Sequence, residues 1–290
     1  MAHQERKKIM KTWKKIVLGV SLISLFLGGG LVAWGYSQGG LTDLQNQTKS
    51  EQDYVKKEVK DFNKIDIKSS SYNVLIKNGD VDKATLSYYQ KTKNLIDTSV
   101  KDGQLTINDN NSELDSTSNK HINFFGLKDL VRLSTLNEEV RNKTIIITLP
   151  KKQTIDFLKV DLATGNLDLS NSTIKQADIN LNVGDLTFTK MIVSNLKANL
   201  DVGSVDSDHT LFTNSDLSIA MGDYSGDNLI FNGHNKLDVT SGNIELALKD
   251  YTLNVQADSH SGEVDITNNL KISKDNTLTI TSDLGDITVE

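Results

Sequence analysis

Seven times in the second half of the chain, a glycine is followed by a small polar or acidic residue and then by alternating apolar positions. The glycines are Gly165, Gly184, Gly203, Gly222, Gly242, Gly262 and Gly285, separated by 19, 19, 19, 20, 20 and 23 residues. A period this short restricts the fold severely. One repeat is too small to bury a core of its own, so neighbouring repeats must stack into a solenoid. Three columns read against the glycine are apolar. Five residues before it stand Val160, Ile179, Ala198, Leu217, Leu237, Ala257 and Ile280. Three before it stand Leu162, Leu181, Leu200, Ile219, Val239, Ser259 and Ser282, and two after it Leu167, Leu186, Val205, Tyr224, Ile244, Val264 and Ile287. Side chains on a straight strand alternate faces, so positions five apart cannot both point inward. The glycine must therefore turn a corner, using a positive φ that costs it nothing sterically. The expected fold is all-β: a β-solenoid or β-helix-like stack of coils of about 19–20 residues.

The chain divides into five expected regions. Residues 1–15 form a basic head, with Arg6, Lys7, Lys8, Lys11, Lys14 and Lys15 against Glu5 alone. Residues 16–36 carry no charge, and 21 helical residues reach about 30 Å, enough to cross a bilayer. Trp13, Trp34 and Tyr36 flank this span as interfacial aromatics do. The residues around Ala33 match a cleavage site poorly, which favours an uncleaved signal anchor over a removed signal peptide. The basic head stays cytoplasmic by the positive-inside rule, so the remainder is expected outside the cell. Residues 37–61 read as a stalk, 62–150 as an N-terminal β region, and 151–290 as the repeats. Phe62 to Ile76 resembles a degenerate first coil, with Ser70 at the glycine position. Asp102-Gly103 reads as a hairpin turn between apolar runs.

A polar and loosely helical insert at 108–142 interrupts the strands. Its apolar residues include Leu127, Leu130, Val131 and the Phe124-Phe125 pair, its most apolar spot. Two roles are open for it: a docking element, or a cap over an end of the stack.

Charge and composition limit the chemistry. Residues 151–290 hold ten lysines, no arginine and 21 carboxylates, a net of −11. Such a surface repels nucleic acid and suits a basic partner. There is no cysteine, hence no disulfide, thiolate metal site or cysteine nucleophile. His209, His234 and His260 fall at three different distances from their glycines and so do not form a metal set. The acidic residues after the glycines suit turn chemistry better than calcium ligation. No metal, cofactor or catalytic residue is expected. The acidic column three after the glycine (Asp168, Asp206, Glu245, Asp265) is broken by Thr187, Ser225 and Thr288, and no carboxylate pair stands out as a glycosidase would require.

Ile147-Thr148-Leu149-Pro150, followed by Leu158 to Leu169 with its Thr164-Gly165-Asn166-Leu167 turn, resembles a family of candidate adhesins: β-strand-repeat domains of unknown function. The resemblance spans about 62–290. Together with the basic head and single span, it implies a membrane-anchored protein of Gram-positive bacteria, similar to accessory proteins of Lia-type envelope stress. Three functions stay open: a non-enzymatic binding or scaffold module meeting an envelope protein or wall component, a surface adhesin, or a carbohydrate-active enzyme. The chain ends within a repeat, and the bare last coil is expected to be covered either by the 108–142 insert or by a second copy in a homo-oligomer.

Overall fold

The computed structural model describes residues 52–91, 96–109, 143–267 and 269–290. The basic head, the 16–36 span with its aromatics, and the insert residues from Phe124 to Val131 lie outside the described residues.

Residues 52–290 form one compact unit, a stack of mostly parallel strands. The first face carries the strand before each glycine: Phe157–Thr164, Ala177–Val183, Leu196–Val202, Asp216–Met221 and His234–Ser241. The second face carries the strand after it: Leu167–Ser170, Leu186–Thr189, Val205–Asp208, the start of Tyr224–Asn232, and Ile244–Leu248. A short third face closes each coil through Thr154–Ile155, Thr173–Ile174, Ile192–Ser194, Leu211–Thr213 and the end of Tyr224–Asn232. The three apolar columns point inward as expected: Val160, Ile179, Leu167, Leu186, Val205 and Ile244 are fully buried. The third face adds an inner row, in which Phe212 meets Phe188 edge-on at 5.3 Å and stacks on Phe231 at 5.7 Å.

The glycine corner has two independent reasons to exclude side chains. Gly165, Gly184, Gly203, Gly222, Gly242 and Gly285 all hold φ between 144° and 150°. Each also lies against the coil before it: a Cβ on Gly203 would sit 1.9 Å from the Gly184 carbonyl oxygen. The residue after each glycine then ties the coils together. Asn166 Oδ1 accepts the Asp185 N–H at 2.9 Å, Asp185 Oδ1 that of Ser204 at 2.9 Å, and Asp223 Oδ1 that of Asn243 at 2.8 Å. Asn73 begins this ladder by accepting from Asn166 at 2.9 Å.

Stacking order departs from sequence order at both ends. Strand Thr277–Leu284 lies between His234–Ser241 and Asn254–Ser261, and Ile287–Val289 lies between Ile244–Leu248 and Val264–Ile266. The last coil in sequence is therefore the penultimate layer, and the Gly262 coil is the end of the stack. Burial explains the exchange. Leu278, Ile280 and Ile287 suit an interior layer, whereas the Gly262 coil offers the smaller Val255, Ala257 and Val264 at the matching positions. In this outermost coil Val264 is 41% exposed, against 0% for Ile244 and Ile287 in the same column. This corrects the expectation of a bare coil at 287–290.

At the other end, Lys64–Ser69 and Asn73–Gly79 form the layer beneath the Gly165 coil. The degenerate coil is real, but shifted by two residues: Ile67 pairs with Val160, and the Tyr72 carbonyl, not that of Ser70, underlies Gly165. The next layer joins Gln104–Asp109 to Thr144–Pro150. Regions 62–150 and 151–290 are thus one stack, because the first coils pair directly with the repeats. Antiparallel strands close this end: Thr85–Lys91 on Thr144–Pro150, Gln52–Glu58 on Thr85–Lys91, and Ile96–Lys101 on Gln104–Asp109. Asp102 (φ 51°) and Gly103 (φ 74°) make the expected hairpin turn. The part of the expected 37–61 stalk from residue 52 onward is folded into the stack: the charged run Gln52–Glu58 is an edge strand, where lysines are favoured.

Candidate interaction surface

Six of the seven predicted glycines make the expected positive-φ corner; Gly262 does not, and excludes a side chain only through its approach to the Gly285 carbonyl. The outward rows and the two ends are what a ligand would meet. Each face has its own chemistry. On the second face, register places Asp168, Thr187, Asp206, Ser225, Glu245, Thr288 and Asp265 in one outward row. Beside it run Ser170, Thr189, Asp208 and Asp227. Both rows are short-chained, and from Ser170 onward they hold carboxylates and hydroxyls without a lysine. Parallel strands repeat at about 4.8 Å, so the rows form a flat acidic lattice. Among the described residues, no group of three or more acidic, His or Cys side chains is arranged to hold a metal ion.

Asp168 stands out in this row. Its Oδ1 has no hydrogen-bond partner, and burial pushes its pKa from 3.8 up to about 6, with Lys77 pulling weakly the other way. Its row neighbours are Leu75 and Thr187, so it has no second carboxyl beside it.

The first face is nearly neutral. Asp66, Lys159, Asp178, Lys197, Asp216 and Lys236 follow one another across adjacent strands, acid and base in strict alternation. In the next row, Asn199 Nδ2 donates to Asn180 Oδ1 at 2.9 Å, and Asn180 Nδ2 to Asp161 Oδ1 at 3.0 Å. This pattern is visible at a fixed offset from the glycines, six residues before them, a column that the search for apolar positions passes over.

The third face carries Ile192 (48% exposed), Leu211 and Ile230 outward. With Lys190, His209, Asn228 and Lys249 they line a shallow groove of about 170 Å³. His209 Nδ1 lies 2.6 Å from Asp208 Oδ1, and His234 Nδ1 lies 3.0 Å from Thr277 Oγ1. The histidines sit at different corners, as their spacing indicates.

The ends differ most. At the hairpin end, buried Asp109 accepts from the Ser69 hydroxyl at 3.1 Å and the Ser70 N–H at 3.3 Å. Burial and the nearby Asp109 charge push the Tyr72 pKa up to about 12. Strand Gln104–Asp109 takes in Asn108 and Asp109, expected in the 108–142 insert, and Thr144 pairs with Asn73 next to the corner that glycine occupies elsewhere. At the opposite end the side-chain ladder finishes with Asp286 Oδ1 accepting the Glu263 N–H at 2.8 Å. No further layer follows the Gly262 coil among the described residues.

A model of the Toastrack DUF4097 family matches residues 62–290. Solved structures with similarity to the chain include a candidate cell adhesion protein from Clostridium sporogenes ATCC 15579, at 17% identity and a TM-score of 0.38, over 82% of this chain and 99% of that one. A candidate adhesin from Bacteroides fragilis NCTC 9343 aligns at 16% identity and a TM-score of 0.39, over 83% and 98%. A candidate lipid binding protein from Parabacteroides distasonis ATCC 8503 aligns at 12% identity and a TM-score of 0.35, over 83% and 98%. No curated protein matches the chain.

Proposed function

This chain belongs to the Toastrack DUF4097 family, and from that premise we propose that it is a non-enzymatic binding or scaffold module of the cell envelope, acting in envelope-stress response. Residues 16–36 anchor it in the bilayer, and residues 37–290 lie outside the cell. The observation that carries the reading is how the stack uses its polar groups. The corner residues are taken up by the inter-coil ladder, and Asp168, the carboxyl with a raised pKa, has Leu75 and Thr187 rather than a carboxyl beside it on the adjacent strands. What is left over for partners is surface: an acidic lattice, a neutral face, a small basic groove and an open end.

The acidic second face favours a cationic or basic envelope component. Its regular rows also favour a ligand that repeats, which supports the second reading, a surface adhesin. Reporter fusions after residue 40 should place the C-terminal part outside, and a cytoplasmic signal would refute both readings. Deletion of the gene followed by challenge with wall- and membrane-active antibiotics separates them. An altered stress response supports the envelope role, whereas an unchanged response with glycan-array binding by the full chain supports the adhesin.

A further inference from the structure

We propose that the outer edge of the Gly262 coil, strands Asn254–Ser261 and Val264–Ile266, is a docking site for a basic, extended segment of a partner protein, which adds to the stack as one more strand. The inference rests on reading the chain as a binding module and names the partner chemistry of one of its surfaces.

Three observations converge on this edge. First, its backbone is half used. In a parallel pair, alternate residues turn their N–H and C=O toward the neighbour. Asn254 donates inward to Asn276 at 3.0 Å, so the groups of Val255, Ala257 and Ser259 face away from the stack. Secondly, the core column continues into the open: Val264 is 41% exposed, and Val255, Ala257 and Ile266 are half-buried. An added strand would cover them as Ile287 is covered. Thirdly, the two ends of the stack are protected differently. The hairpin end finishes on antiparallel strands with Lys56 and Lys57 on the outermost one. From Asn254 to Ile266 there is no lysine, arginine or proline, and among the described residues no antiparallel strand covers this edge.

Charge selects the occupant. Asp258, Glu263 and Asp265 are exposed along this edge. A second copy would set these carboxylates against their own kind, which disfavours pairing. A strand bearing lysine or arginine meets complementary charge, while its main chain supplies the hydrogen bonds that sheet addition needs.

The test uses the full chain in detergent and a fluorescent nonapeptide of alternating Lys and Val. Saturable binding is expected, with amide-exchange protection appearing at Val255, Ala257 and Ser259. A peptide of alternating Glu and Val should not bind. The Lys-Val peptide N-methylated at every residue should bind at least about tenfold more weakly, having lost its ladder donors. Ala257→Pro removes an outward N–H at an edge position that tolerates proline, and should weaken binding by about tenfold. The triple variant D258K/E263K/D265K should weaken it similarly through surface charge alone, which guards against a folding defect in the proline variant. Protection elsewhere, on the second face for instance, would overturn the assignment, as would equal binding of the methylated peptide. Protection of the same amides by self-association without peptide would assign the edge to a second copy instead. Failure of the peptide leaves the deletion phenotype intact, whereas a cytoplasmic reporter signal removes the envelope reading without changing peptide binding.

Discussion

Asp286 donates its backbone N–H to Asn243 Oδ1 at 3.0 Å across 43 residues of sequence. Its own Oδ1 accepts from Glu263, the residue 23 positions before it, at 2.8 Å. One residue thus holds two coils that are consecutive in sequence and separated in space. The C-terminal coil is a layer between them.

Truncation should therefore cost more than its length suggests. Deleting residues 277–290 removes the only strand partners that Asn254–Ser261 and Val264–Ile266 have among the described residues. Amide exchange is expected to show 254–266 unprotected along with a newly open His234–Ser241 edge. A longer deletion of 249–290 should show no greater loss of protection in the remaining coils.

Glycine corners should respond according to depth in the stack. Gly203→Ala forces both a φ of 148° on a side-chain-bearing residue and a 1.9 Å approach to a backbone oxygen. A loss of at least about 2 kcal/mol is expected in urea unfolding. Gly262→Ala meets the Gly285 carbonyl at 2.1 Å. Its coil is outermost and can shift outward, so the loss should be smaller and confined to residues 254–266.

The ladder needs an acceptor, not a charge. Asp185→Asn keeps an oxygen for the Ser204 N–H and should leave stability nearly unchanged. Asp185→Ala removes it and should cost about 1 kcal/mol by the same measurement.

Asp168 should make folding pH-dependent in an unusual direction. Its folded pKa, about 6, lies above the unfolded value of 3.8, so a proton is taken up on folding within that window. Its contribution is fully present below about pH 4 and is lost as pH rises through about 6. Asp168→Asn should stabilise the protein at pH 7, on the order of 1 kcal/mol after solvent screening, and give no gain at pH 4.

The alternating row on the first face predicts a salt effect. Lys197→Glu places three acids on neighbouring strands, with Asp178 and Asp216 on either side. A loss of roughly 0.5 kcal/mol is expected at low ionic strength, shrinking in 0.5 M salt. Thermal unfolding at the two salt concentrations measures it.

Much of this architecture is legible in the sequence, for identifiable reasons. Leu167, Leu186, Val205 and Ile244 expose the second face because a glycine marks their phase, and Val160 and Ile179 do the same for the first. The third face lacks such a marker: its strands are two or three residues long, too short for alternation to register. Stacking order is hidden because every coil carries the same signature. The clue lies in the content of the columns, where Ala257 is a poor interior residue beside Ile280. Gln52–Glu58 passed for a stalk because an edge strand is charged by necessity. Among candidate surfaces, the acidic column was readable, but its value depends on neighbours such as Leu75, which is 93 residues from Asp168 and adjacent only through the register.

The inverted order of the last two coils also sets a timetable for synthesis. Coil 254–266 emerges before the strands that will hold it, so its place in the stack is unavailable until residues 277–289 have been made. Until then the coil must wait unpaired or lie directly on 234–248 and later give way. Assembly of this end is thus tied to residues that follow the coil they support, and synthesis that stops before them releases a molecule in which 254–266 has no layer to lie on.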